Sequence, residues 1–201
     1  MKIEIEFLLK LSYTKQDKDT PLFCEEEIQP ILEKIIQSGI NEFNFTTPLG
    51  ATLVHICAAN QLLNILKFIN TFCVTNNVNL NLVLGNRKTG KTPISIAAER
   101  GNIALVNFFL EIVQNDDLLL KKGDNLDKLP VHFAATFFEN HQIRAELIEK
   151  LDPTKTLRNI PDFTGITAQN ILDNPFFSFP GSEECPLLRD SFGRTQFMIN
   201  I

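Results

Sequence analysis

Three histidines, four cysteines and one glycine–lysine–threonine segment are the residues of this 201-residue chain whose types could carry chemistry. A histidine acting as a general base needs a nucleophile or a carboxylate within hydrogen-bond reach. His141 has no cysteine or paired acid nearby in sequence. His55 and Cys57 lie two residues apart, a spacing that turns side chains to different faces of a helix. Cys24, Cys57, Cys73 and Cys185 show no metal-ligand spacing and are too sparse for a disulfide scaffold, so a reducing compartment is expected. Residues 85–92, GNRKTGKT, superficially approach a phosphate-binding loop. Such a loop follows a buried strand, whereas this one precedes a helix of the repeat described next. No catalytic residue, metal ligand or cofactor site is expected, and the chain is not read as an enzyme.

The elements that position these residues repeat. Residues 90–110, GKTPISIAAERGNIALVNFFL, align without gaps on residues 50–69, GATLVHICAANQLLNILKFI. A third copy covers residues 127–148, DKLPVHFAATFFENHQIRAELI, and a fourth, GITAQNILDN, begins at Gly165. The start of a fifth, GRTQFMINI, begins at Gly193. The anchor positions Thr52, Thr92, Leu129, Thr167 and Thr195 are 40, 37, 38 and 28 residues apart. An Asp precedes the Gly position by three residues at Asp124, Asp162 and Asp190. Pro93 and Pro130 stand where a helix would begin, and the Thr52 and Thr92 hydroxyls are expected to cap it. The small pairs Ala97–Ala98 and Ala134–Ala135 permit close helix approach. Ile103, Val106, Phe109 and Leu110 then fall at helical spacing, as the apolar face of a second helix. One such helix pair cannot bury that face alone and must stack on neighbours.

These residues resemble the ankyrin repeat family, whose signature is Thr-Pro-Leu-His-x-Ala-Ala, then a Gly and a second helix. Thr92-Pro93-Ile94-Ser95-Ile96-Ala97-Ala98, with Gly101 following, matches best; the third copy keeps Pro130, His132 and both alanines. The first keeps Thr52 and His55, and the fourth only Gly165, Thr167 and the apolar pattern. The resemblance covers roughly residues 40–201. It implies an all-α fold, an ankyrin-repeat solenoid of stacked helix-turn-helix units with turn or hairpin loops. His55 and His132 would then be structural, bonding backbone and the motif Thr. Residues 1–46 are expected to form a divergent N-terminal capping repeat containing a helix over CEEEIQPILEKIIQSG, starting late or kinked at Pro30. Repeats are expected over 47–86, 87–123, 124–161 and 162–189, with 190–201 opening a further one. The chain stops inside that unit, so a longer protein is expected. The alternation over residues 78–84 suggests an extended hairpin arm, and residues 175–189 an interruption of the stack. Each is read as either a binding element or a tolerated surface insertion.

Partners of this family bind the turn tips and the exposed side of the first helices. Carried over, that face comprises Arg87, Lys88, Thr89, Lys91, Glu99 and Arg100 in the second copy, and Asn125, Leu126, Lys128, Thr136 and Phe137 in the third. The fourth adds Phe163, Thr164 and Ile166, and the first Leu49, Ala51 and Asn60. Five cations beside two phenylalanines point to a protein partner with an acidic surface. The net charge of −5 argues against nucleic acid, and no small-molecule substrate is expected. The first fifteen residues lack a signal peptide's apolar run, and no stretch approaches a membrane span. The expected function is a protein-interaction module in the cytoplasm; the alternative is the recognition arm of an enzyme whose catalytic domain lies beyond Ile201. An ankyrin-like array in a Phe-, Ile-, Asn- and Lys-rich chain resembles the ankyrin-bearing effectors that intracellular bacteria such as Legionella deliver into host cells.

Overall fold

A computed structural model describes residues 6–7, 25–39, 43, 45–48, 50–80, 82–113 and 117–174. Four short helices within it begin in the same way. They are α2 (Leu53–Ala59), α4 (Pro93–Glu99), α7 (Pro130–Ala135) and α9 (Ala168–Asp173). Each follows an extended residue, namely Thr52, Thr92, Leu129 and Thr167, with ψ of 171°, 161°, 162° and 156°. The three threonine hydroxyls accept from the backbone N–H three residues on, satisfying one of the donors a helix start leaves open. Pro93 and Pro130 take the first helical position, where a missing N–H costs nothing. Leu129 has no acceptor, so its helix keeps only the reverse bond, from Leu129 N–H to His132 Nδ1 at 3.1 Å. The fourth copy, weakest in sequence, has both bonds: Thr167 Oγ1 accepts from Asn170 N, and Asn170 Oδ1 accepts from Thr167 N, each at 3.0 Å.

Ahead of each helix stands a turn organised by one side-chain oxygen. Asp162 Oδ1 accepts from the N–H of Thr164 and Ile166, and Asp124 Oδ1 from that of Leu126 and Lys128. Asn86 Oδ1 and Thr47 Oγ1 do the equivalent work earlier in the chain. This is the physical content of the recurring Asp, and it extends the repeat to two positions that carry no Asp. The turn needs a left-handed residue three places on. Gly165 supplies it at φ +82°, and Asp127, a type that tolerates this region, at φ +56°.

The longer helices α3 (Leu63–Thr75), α5 (Ile103–Ile112) and α8 (His141–Leu151) follow α2, α4 and α7 and pack against them. The short helices touch their successors in order, α2 on α4, α4 on α7 and α7 on α9, while α5 meets α8 behind them. The product is two helical layers. Ala97, Ala98, Ala134 and Ala135 are fully buried in this row, as close helix approach requires. Val106 and Phe109 of α5 are fully buried together with Leu105, while Ile103 and Leu110 are half-buried at the margin. The short α6 (Asp117–Lys121) lies in the connection to α7. At the front, α1 (Glu25–Gln37) contributes Ile28, Leu32 and Ile35 to the same core, spaced on one face, with Gln29, Glu33 and Lys34 exposed opposite. Among the described residues there are nine α-helices and no strand; the pairings Thr46–Thr52 and Pro161–Thr167 are isolated bridges. The fold is all-α.

One expectation is narrowed and another corrected. Helix α1 starts at Glu25, five residues ahead of Pro30, so it does not begin late. Proline at the sixth helical position forfeits only one backbone bond, which the buried Ile28–Leu32–Ile35 stripe outweighs. Residues 78–84 are not a projecting hairpin arm. Val78, Leu80 and Leu82 are buried, Asn79 is exposed, and Phe43 N–H donates to Asn79 O at 3.0 Å. Among the described residues of this stretch, Val78, Leu80 and Leu82 therefore lie against the body and Asn79 faces water. Leu49, residues 175–189 and the fifth copy from Gly193 to Ile201 lie outside the described residues.

Candidate functional site

The turn tips are bonded to one another in register. Asn125 N–H donates to Thr89 O at 3.0 Å, and Phe163 N–H donates to Leu126 O at 2.9 Å. Asn125 Nδ2 adds a bond to Lys88 O at 3.3 Å. These bonds hold the second, third and fourth tips in one line. Behind it, between the second and third copies, runs a groove of about 450 Å³ lined by Lys88, Lys91, Glu99, Leu126, Lys128 and Phe133 among others.

The histidine of the first copy ties this architecture together. His55 Nδ1 accepts from Thr52 N–H at 3.2 Å, so the neutral ring carries its proton on Nε2. That nitrogen lies 2.9 Å from Lys91 O and donates to it, joining the first copy to the second. Burial lowers the His55 pKa below its ordinary value, against backbone bonds from Lys91 and Leu84 that raise it. His132 is placed alike, but its Nε2 is buried without a partner of hydrogen-bond geometry. Burial lowers its pKa too, outweighing the Asp162 charge and the Ile166 and Ile160 backbone, which raise it. His141 is exposed and lies 3.0 Å from Arg144 Nη2. Burial pushes the Cys57 and Cys73 thiols up to about 12, so neither offers a thiolate nucleophile at neutral pH. Among the described residues no three His, Cys, Asp or Glu side chains form a group able to hold a metal.

Gly85, Gly90, Lys91 and Thr92 match the full spacing of a phosphate-binding loop, more than the superficial likeness expected from the sequence, yet the turn they form spends its donors internally. Gly90 N–H donates to Asn86 O, Thr89 N–H to Asn86 Oδ1, Lys91 N–H to Thr89 Oγ1, and Asn86 N–H to Lys91 O. The backbone cradle that grips phosphate is therefore closed, and Thr92 is occupied as the cap of α4.

Most of the face anticipated from the sequence is found on the tips and first helices. Arg87, Lys88 and Asn125 are exposed on the tips, and Lys128 is half-buried at the groove, 3.9 Å from Asp162 Oδ2. Lys91 Nζ sits 2.7 Å from Glu99 Oε1 and 4.7 Å from the Phe133 ring centroid. Arg100 is exposed at the end of α4 and does not line the groove. Phe163 is 76% exposed, beside Leu126 at 46%. Thr136 and Thr164 are also exposed, whereas Ala51, Asn60, Thr89 and Ile166 are half-buried.

Phe137 is the exception. It is buried, with its ring against the Cα of Gly101, so it wedges the second copy to the third and offers no surface anchor. Two contributors escaped the sequence reading. In the sequence Phe133 belongs only to a helix motif, yet its ring supports Lys91. Asp152, fully buried, accepts from the N–H of Thr156, Leu157 and Arg158 and from Arg158 Nε at 2.9 Å, fixing the loop before the fourth tip. No helix among the described residues is long and apolar enough to cross a membrane. No protein-family model and no curated protein matches this chain.

Proposed function

We propose that the chain is an ankyrin-type repeat array that binds a partner protein, acidic on its contacting surface, through its turn tips and first helices, and that it is not itself an enzyme. What supports this most is the bonded line of tips, Thr89 to Asn125 and Leu126 to Phe163. It holds Lys88, Leu126 and Phe163 at fixed spacing along one rigid surface. A preorganised surface binds without the ordering cost that a flexible loop would incur. Exposed aromatic side chains beside cations are the residue types that anchor interfaces. The buried, unpaired Cys57 and Cys73 support an encounter in a reducing compartment, the cytoplasm of a cell or of a host.

The test is affinity capture with the full chain as bait, repeated with the triple variant Lys88→Glu, Lys91→Glu and Arg100→Glu and with Phe163→Ala. Loss of the captured protein at an unchanged melting temperature is the expected result. Retention of the same partner by both variants would move the interface off this face.

A further inference from the structure

Lys91 is the best-anchored cation of the groove. Its carbonyl accepts from Asn86 N–H at 3.0 Å and from His55 Nε2 at 2.9 Å, which fixes the backbone. Its side chain, 22% exposed, crosses to the third copy and rests on the Phe133 ring. A partly exposed cation held on a ring face is primed for a carboxylate. One is already there. Glu99 Oε1 meets the ammonium at 2.7 Å, from the last residue of α4, with its side chain 43% exposed.

The other carboxylates at the groove are not free to leave. Asp124 Oδ1 is used by the backbone of its own turn. Asp162, near Lys128, is engaged through Oδ1 by the Thr164 backbone and hydroxyl and the Ile166 backbone, with its side chain only 2% exposed. Glu99 alone combines an exposed position at a helix end with a single bond to a groove cation. Its contact with Lys91 spans eight residues rather than one helical turn. Helix geometry therefore does not enforce the pair, and Glu99 can rotate to water while Lys91 stays put.

We propose that Glu99 is a placeholder: it occupies the ammonium site that an Asp or Glu side chain of the partner takes on binding. This rests on the face assigned under the proposed function. The occupant is an extended segment of a partner protein carrying a carboxylate next to an apolar or aromatic side chain. The carboxylate replaces Glu99 on Lys91, and the apolar group lies against exposed Leu126, itself part of the groove lining. Lys88 and Lys128 at the same groove add attraction for the incoming anion. Exchange keeps one carboxylate on Lys91 throughout and returns Glu99 to solvent, so the partner displaces only an exposed ion pair, a weak competitor. The internal carboxylate also screens the groove against neutral segments, which cannot compensate Lys91 after displacing it.

The test uses the full chain and fluorescence anisotropy with two pools of fluorescein-labelled octapeptides. Both pools fix Phe at the sixth position; one fixes Glu at the fourth, the other Gln. The expected result is binding of the Glu pool in preference to the Gln pool. Glu99→Gln and Glu99→Ala should each tighten the Glu pool by about two- to five-fold, the range expected for removing an exposed competitor. That gain should disappear in a Lys91→Gln background and shrink at high salt. If Lys91→Gln abolishes binding while both Glu99 variants leave it unchanged or weaker, the placeholder is refuted and the face stands. If neither pool binds, or Lys91→Gln has no effect on binding, the face and the placeholder fall together.

Discussion

Replacing Gly101 with Ala tests how the second and third copies are joined. Gly101 has φ +69°, a region that disfavours any side chain by about 1–2 kcal/mol. A Cβ there would collide with Phe137 Cζ and lie 2.5 Å from Cε2 and 2.8 Å from Cε1. Phe137 is only 9% exposed, so its ring has little room to yield, and overpacking of this kind costs about 1–3 kcal/mol. Reduced freedom of the unfolded chain returns about 0.4–1 kcal/mol. The net expectation is a loss of about 1–5 kcal/mol. Gly165 provides the control, since it has φ +82° with nothing within 4 Å of its built Cβ. Gly165→Ala should therefore cost only about 1 kcal/mol, the conformational part alone. Urea unfolding followed by circular dichroism measures both variants, and Gly101→Ala in a Phe137→Leu background isolates the ring contact. Equal losses for Gly101→Ala and Gly165→Ala, or no relief from Phe137→Leu, would refute the wedge.

Two further outcomes follow from buried polar groups. Asp152→Ala strips the Arg158 guanidinium and three backbone N–H groups of their acceptor, and should destabilise by about 3–5 kcal/mol in the same urea assay; a loss below about 1 kcal/mol would show the loop to be held by other contacts. Acidification should weaken the fold through His55 and His132, whose burial holds the folded pKa below the unfolded 6.5. The unfolded chain then binds more protons, so this stability is intact above pH 6.5 and lost as pH falls from 6.5 through the folded values, by up to about 1.4 kcal/mol per pH unit for each ring. Urea midpoints of wild type and His132→Asn between pH 7.5 and 5.5 check this, with a flatter profile expected for the variant.

The chain's own residues determined the local structure. Proline ring geometry, threonine hydroxyls and small side chains act within a few residues of themselves. The starts of α2, α4, α7 and α9 could therefore be read from Thr52, Thr92-Pro93, Pro130 and Thr167. The Asp recurrence was visible too, although that Asn86 and Thr47 serve the same turn emerged only from the hydrogen bonds. Side chains whose fate depends on a neighbouring copy were beyond such reasoning. Phe137 occupies the repeat position of exposed Arg100, and nothing local says that one enters the core and the other faces water. The packing against Gly101, 36 residues earlier, decides it. Glu99 and Lys91 likewise read as two charges on one face, and only their 2.7 Å approach over Phe133 makes one the occupant of the other's site. Propensity and capping act along the chain, whereas burial and charge pairing are settled across it.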